Sequence, residues 1–222
     1  MLAAAYLDAS DPWVRWDWVT AHTDLFTQET IEHVQLTLIA VVAGLLLALP
    51  LALVAHRVPR LREPILAATG ILYVIPSIAL FALLIPLTGL TILTAEIGLT
   101  GYTLLILIRN IVVGLEGVPA DVLDAARGMG YRPLVRLFRI ELPLALPALL
   151  AGLRIATVTT IGLVTVTALI GYGGLGQLIL RGLIQDFKTP LVVGSVLSVA
   201  LALVADLALA GVQRLATPWS RG

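Results

Sequence analysis

The sequence predicts an all-α integral membrane protein with five transmembrane helices and a long cytoplasmic loop that carries a short helix of its own. Three observations predict this. Of 222 residues, 59% are hydrophobic and only 13% charged, where a soluble domain carries about 25% charged residues, and the mean hydropathy is +1.01. Five apolar stretches match the roughly 20 residues needed to cross a hydrocarbon core of about 30 Å. The basic residues collect on one side of those stretches, as the cytoplasmic retention of Lys and Arg requires.

Residues 1–30 are expected to form an extracytoplasmic segment with an interfacial helix, because Trp13, Trp16 and Trp18 interleave with Arg15 and Asp17 and indole rings favour the headgroup layer. The segment does not resemble a cleavable signal peptide. It holds Asp8, Asp11, Asp17, Asp24 and Glu29, with no basic leader before an apolar run.

A transmembrane domain is expected over 31–214, with spans at about 36–55, 65–87, 98–115, 145–170 and 191–211, and a cytoplasmic tail over 215–222. The first span has Thr37 as its only polar side chain, whereas the third is short and contains Arg109 and Asn110. With the N-terminus outside, the inner segments hold Arg57, Arg60, Arg62, Arg127, Arg132, Arg136, Arg139, Arg214 and Arg221. The outer ones hold only Arg15, Arg181 and Lys188. The outer loop 171–190 opens with Gly171, Gly173, Gly174 and Gly176 and continues as an amphipathic stretch, which predicts a short helix along the membrane surface.

Between the third and fourth spans, residues 117–143 are too long for a simple turn. Pro119 suits a first helical position, Asp121 complements a helix N-terminus, and Gly128 or Gly130 can supply the left-handed residue that ends the helix. Val122, Ala125, Ala126 and Met129 then share one small apolar face. A second amphipathic stretch puts Leu134, Leu137, Phe138 and Glu141 on one side and Arg132, Arg136 and Arg139 on another. An apolar face in the cytoplasm requires a protein groove or the membrane surface.

This segment resembles the signature loop of ABC importer permeases: Glu-Ala-Ala, three residues, Gly, nine residues, Ile, any residue, Leu-Pro. Asp124, Ala125, Ala126, Gly130, Ile140, Leu142 and Pro143 reproduce that spacing, and Asp124 replaces the Glu. The resemblance runs over about 29–214 and includes 30–37 (ThrIleGluHisValGlnLeuThr), 73–86, 105–111 (LeuIleLeuIleArgAsnIle), 151–157 and 170–182. Together these stretches resemble permeases for glycine betaine, carnitine, choline and proline betaine.

The resemblance implies a type I ABC importer permease fold, in which Asp124, Ala125, Ala126, Gly128 and Gly130 dock on a separate ATPase. Small residues at Ala125 and Ala126 let another backbone approach, and a glycine hinge at Gly130 lets the helix leave sharply. It also implies a second permease subunit, identical or a paralogue, an extracytoplasmic substrate-binding protein, and a plasma (inner) membrane location. No cofactor is expected on this chain itself; ATP and Mg would be used by the partner ATPase. The lone lysine, Lys188, has no glycine-rich turn before it, so a Walker-type phosphate loop cannot be formed and the chain is not expected to be an enzyme.

Ionisable groups at membrane depth are functional candidates. Arg109, Arg154 and Asp206 are expected in one layer of the cytoplasmic half, with Asp206 neutralising Arg154 or Arg109; the competing reading has one arginine lining the exit path. Pro76 removes a backbone donor inside the second span and predicts a bent, pathway-facing helix. Tyr73, Pro76, Ser77, Asn110, Thr157 and Thr160 are the pathway candidates.

Zero net charge offers nothing to nucleic acid, and the absence of cysteine excludes a disulfide or thiolate metal site. A secondary transporter would carry internal repeats and midplane ion ligands, and a scaffold would not need prolines in its spans. The main rival within the importers is a methionine-type permease.

Overall fold

The computed structural model describes residues 12–221, so Asp8, Asp11, the first eleven residues of the expected N-terminal segment and Gly222 lie outside the described residues. Ten α-helices and no strand occur among the described residues. They are α1 (Trp16–Ala21), α2 (Thr23–Arg57), α3 (Pro59–Val74), α4 (Ser77–Thr88), α5 (Ile92–Glu116), α6 (Ala120–Gly128), α7 (Pro133–Arg136), α8 (Leu142–Val166), α9 (Leu175–Ile184) and α10 (Lys188–Ala216). A π-helical turn, Leu137–Glu141, joins α7 to α8, and a 3-10 turn, Thr167–Ile170, extends α8.

Four helical stretches are long and apolar enough to cross a membrane: α2, α5, α10 and the run Pro133–Ile170. Among the described residues the pair α3 and α4, sharply bent at its break, makes a fifth when the two are counted as one span. The expected 65–87 span is therefore two helices. Ile75 (φ −60, ψ 127) and Pro76 (φ −55, ψ 135) are both extended, because the proline ring disfavours a helical residue before it and supplies no N–H.

Two other helices begin earlier than hydropathy suggests. In α2 the hydroxyls of Thr27, Thr30 and Thr37 each donate to the carbonyl four residues before, at 2.9, 2.7 and 2.9 Å, which satisfies them inside the helix. Ahead of α5, Thr88 and Thr94 share a hydrogen bond of 2.6 Å, and Thr91 donates to Thr88 O at 3.0 Å. Hydropathy reads such residues as breaks because it cannot see their partners.

Packing divides the chain into two units. One takes in residues up to Ala40, Pro76–Leu99 and Val158–Val204; the other takes in Val41–Ile75, Thr100–Thr157 and residues from Ala205 onward. In the first unit, Leu36, Ala40, Phe81, Ala95, Leu99, Val164 and Ile170 form one core cluster, and Phe26, Leu175 and Leu178 form another.

Trp18 belongs to this first unit. It stacks on His22 at 4.2 Å and meets Phe26 and Phe187 edge-on at 5.8 and 5.1 Å. Trp13 and Trp16 remain largely exposed, at 57% and 72%, so of the three expected interfacial indoles one is spent on packing.

In the second unit, Ala48, Ala52, Ala55, Leu107, Ile108, Ile111, Val112, Leu115, Leu137, Ala145 and Ala156 form the core. Its helices approach closely at small residues, as membrane helices do. A Cβ added to Gly44 would fall 1.8 Å from Thr103 Oγ1, and one on Gly114 would fall 2.9 Å from the Ala145 carbonyl.

Candidate functional site

Within the second unit, segment 117–143 is shaped by its prolines and glycines. Pro119 (φ −58, ψ 137) stands one place before α6 as its N-cap, and Asp121 occupies the first turn, where a carboxylate complements the positive helix end. At the other end Tyr131 N–H donates to Ala126 O at 3.1 Å and Gly130 N–H donates to Arg127 O at 2.9 Å. These are the two bonds of a Schellman motif. The motif needs a left-handed residue, and Gly130 supplies it at φ +77. Gly128 is an ordinary helical residue with open space where a Cβ would lie.

The expected single apolar face of α6 is divided. Ala126 is fully buried, Val122 is half-buried, and Ala125, Gly128 and Met129 point outward. At the helix end the chain turns back over Ala126, with Tyr131 N–H on its carbonyl, which helps cover that side. Asp124 is exposed and, among the described residues, pairs with its helical neighbour Arg127 at 2.8 Å.

The next stretch also departs from its expected faces. Leu137 is buried in the core of the unit, while Leu134 and Phe138 are 62% and 64% exposed. Glu141 is buried, accepts a hydrogen bond from Arg136 Nε at 2.6 Å, and lies 4.0 Å from His56 Nε2. The π turn accounts for the placement of Glu141: its i→i+5 spacing brings Arg136 up to Glu141 and moves Glu141 off the side that Phe138 occupies. Regular helical periodicity assumed at that point mixes the two sides. Ile140, Leu142 and Pro143 are half-buried on the way into α8.

Arg154 and Asp206 form a two-pronged ion pair, with Nε–Oδ1 and Nη2–Oδ2 both at 3.0 Å. Arg154 Nη1 also donates to Gln213 Oε1 at 3.1 Å, and Gln213 Nε2 donates to the Pro147 carbonyl at 3.1 Å. Of the two arginines offered to Asp206, the structure brings up Arg154; Arg109 is exposed and takes no part. Sequence reasoning overlooked Gln213, although it lies seven residues after Asp206 and so on the same helix face.

The pathway candidates fall in different settings. In the second unit, Asn110 Nδ2 donates to Ile106 O at 2.8 Å, and its side chain fills the space above Gly152, where a Cβ would come within 2.4 Å of it. Thr157 back-bonds to Leu153 O at 2.8 Å. Tyr73 is 41% exposed and meets Tyr102 edge-on, with ring centroids 6.1 Å apart. Tyr102, absent from the sequence-based candidates, donates its hydroxyl to the Ile75 carbonyl at the broken span. In the first unit, Pro76 is exposed, Ser77 is half-buried and Thr160 is buried.

The glycine-rich loop of the first unit is held by α2. Glu32 Oε1 accepts from the N–H groups of Gly173 and Gly174 at 3.0 and 3.2 Å, and Glu29 pairs with Arg181 at 3.3 Å. Gly174 is left-handed at φ +48, and a Cβ there would strike Glu29 O and His33 N at 2.5 Å. His33 Nε2 in turn lies 3.0 Å from Ile161 O. Glu96, in the first turns of α5, has both carboxylate oxygens buried with no hydrogen-bond partner among the described residues. No cluster of His, Asp and Glu able to hold a metal occurs among the described residues.

Comparison with known proteins places this geometry in context. Residues 40–217 match the family described as binding-protein-dependent transport system inner membrane component. The choline transport system permease protein OpuBB of Bacillus subtilis (strain 168) is 37% identical over 190 residues, covering 86% of this chain and 88% of the relative. The osmoprotectant import permease protein OsmW of Salmonella typhimurium is 37% identical over 194 residues, covering 85% and 90%. Among solved structures, an inward-facing MetNI methionine ABC transporter chain matches with a TM-score of 0.82 at 24% identity, over 89% of this chain and 98% of that one.

Proposed function

The chain belongs to the binding-protein-dependent transport system inner membrane component family, and from that premise we propose that it carries a compatible solute inward, driven by a separate ATPase that grips segment 124–143. It is a multi-pass membrane permease of the ABC importer class. The solute we assign is a quaternary ammonium osmolyte such as glycine betaine, carnitine, choline or proline betaine. Relatives 37% identical over most of their length, a choline permease and an osmoprotectant permease, support this class. The likeness to the methionine transporter, at 24% identity, bears on fold alone.

The observation that carries the ATPase contact is the two-faced build of the segment. Ala125, Gly128, Met129, Leu134 and Phe138 face outward, an apolar set suited to a groove on a protein partner. Ala126, Leu137 and Glu141 face inward. Leu137 belongs to the core cluster that includes residues of α2, α5 and α8, so a push on α6 and α7 is passed to the helices that cross the membrane.

The partners follow from that role. Two ATPase subunits use ATP and Mg, a second permease copy or paralogue completes the pathway, and an extracytoplasmic binding protein delivers the solute. The arginine distribution supports an N-terminus outside and segment 117–143 in the cytoplasm.

The test uses the importer co-expressed from its ATPase, permease and binding-protein genes. Ala125→Trp is expected to insert normally but to lose ATPase co-purification and uptake of labelled glycine betaine and choline. An Ala125→Trp importer that keeps both properties overturns the contact. A wild-type importer that moves methionine and no quaternary ammonium solute overturns the assigned cargo.

A further inference from the structure

We propose that Tyr73 and Tyr102, with the carbonyl end of α3, form a transit site for the quaternary ammonium group of the solute inside the membrane. This rests on the cargo class proposed above.

Three features at the end of α3 converge. The first is the end of a helix at membrane depth. Tyr73 lies about 12 Å along α3 from Ile65, the expected start of the span, at 1.5 Å per residue, which for a helix running along the bilayer normal ends α3 inside a hydrocarbon layer about 30 Å thick. Its last carbonyls form the negative end of the helix dipole, which favours a cation. Pro76 has no N–H to return to the Leu72 carbonyl. Irregular backbone at such depth is tolerated where it lines a water-filled cavity or is buried in protein, and the ends of discontinuous helices are where transporters hold cations.

The second feature is aromatic. The Tyr73 and Tyr102 rings stand edge to face at 67°, 6.1 Å apart, with Tyr73 41% exposed. A permanently charged trimethylammonium group cannot donate a hydrogen bond, so an aromatic face, which attracts it through the ring quadrupole, is the chemistry that recognises it. Tyr102 is buried at 5% exposure, so the ring open to such a group is that of Tyr73, with Tyr102 packed behind it.

The third feature fixes the arrangement. Tyr102 donates its hydroxyl to the Ile75 carbonyl, which ties the ring of α5 to the end of α3. The Tyr73 hydroxyl makes no hydrogen bond among the described residues. A phenol hydroxyl turned to hydrocarbon would forfeit its bonds to water, so the exposed side of Tyr73 is better matched to an aqueous pathway than to lipid.

The experiment uses the complete importer in proteoliposomes, with choline-loaded binding protein at saturation, and reads choline moved per ATP hydrolysed. Saturation removes the binding protein's own affinity from the result. Tyr73→Phe keeps the ring and is expected to stay within about twofold of wild type, whereas Tyr73→Leu loses about tenfold in choline per ATP while stimulated ATP hydrolysis continues.

Fluorinated phenylalanines placed at residue 73 supply the second readout, since fluorine drains the ring's negative face without changing the fold. Transport falling in step with fluorine number supports the site. Leucine performing as well as phenylalanine, or transport indifferent to fluorination, overturns it. A wild-type importer that moves no quaternary ammonium solute fails at the earlier reading instead, and is recognised by that control.

Discussion

Two glycines two residues apart illustrate how much backbone conformation decides. Gly130 sits at φ +77 with open space around its missing side chain, and Gly128 is helical with equally open space. Sterics inside the chain cannot distinguish them; conformation does. A Cβ on a left-handed residue costs about 1–2 kcal/mol, whereas alanine for glycine inside a helix gains about 0.5–1 kcal/mol. Gly130→Ala is therefore expected to lower the thermal stability of the detergent-solubilised permease and Gly128→Ala to raise it slightly. Equal shifts in the two melting curves would contradict the Schellman end. Ala126 belongs at this scale too: it is buried, so enlarging it would disturb packing rather than only a partner's approach, while Ala125 reports on the partner alone.

At the scale of elements, the Arg154–Asp206 pair fastens α8 to α10. Its side chains are 31% and 37% exposed, so it is neither a deep ion pair nor a loose surface one. Gln213 strengthens the connection by bonding both Arg154 and the Pro147 carbonyl. Pro147 lies inside α8, where a proline loosens the backbone ladder. Asp206→Asn is expected to cost at most about 1.5–3 kcal/mol, the range for hydrogen bonds to charged groups, and less where solvent screens the pair. It should couple to Gln213→Ala in a double-mutant cycle of unfolding midpoints; additive effects would separate Gln213 from the network. This network was half legible. Spacing and membrane cost identified Arg154 and Asp206, but the choice of Arg154 over Arg109 depends on which helix faces which.

For the whole molecule, topology determines what each surface can meet. The chain has no cysteine, so single cysteines can be introduced without background. With the proposed orientation, Arg60→Cys is labelled by a membrane-impermeant maleimide only in inside-out vesicles, and Gln185→Cys only in intact cells. Both positions are exposed and lie outside the proposed ATPase contact. The opposite labelling pattern would invert the arginine argument and move the ATPase segment to the wrong side.

The sequence by itself determined the class of this protein. Apolar length marks candidate membrane spans because the bilayer has one thickness, and the spacing from Asp124 to Pro143 is legible because a helix, its terminator and the next helix must follow at fixed intervals. Tertiary structure decided everything that depends on rotation about a helix axis or on a partner distant in sequence. Within the π turn at Leu137–Glu141, Leu137 and Glu141 face inward and Phe138 outward. Glu32 closes on Gly173 and Gly174 from 141 and 142 residues away, and Tyr102 reaches the Ile75 carbonyl across a break that hydropathy reads as one span. Periodicity assumes regular turns, whereas hydrogen-bond satisfaction is a three-dimensional condition that no local window of residues contains.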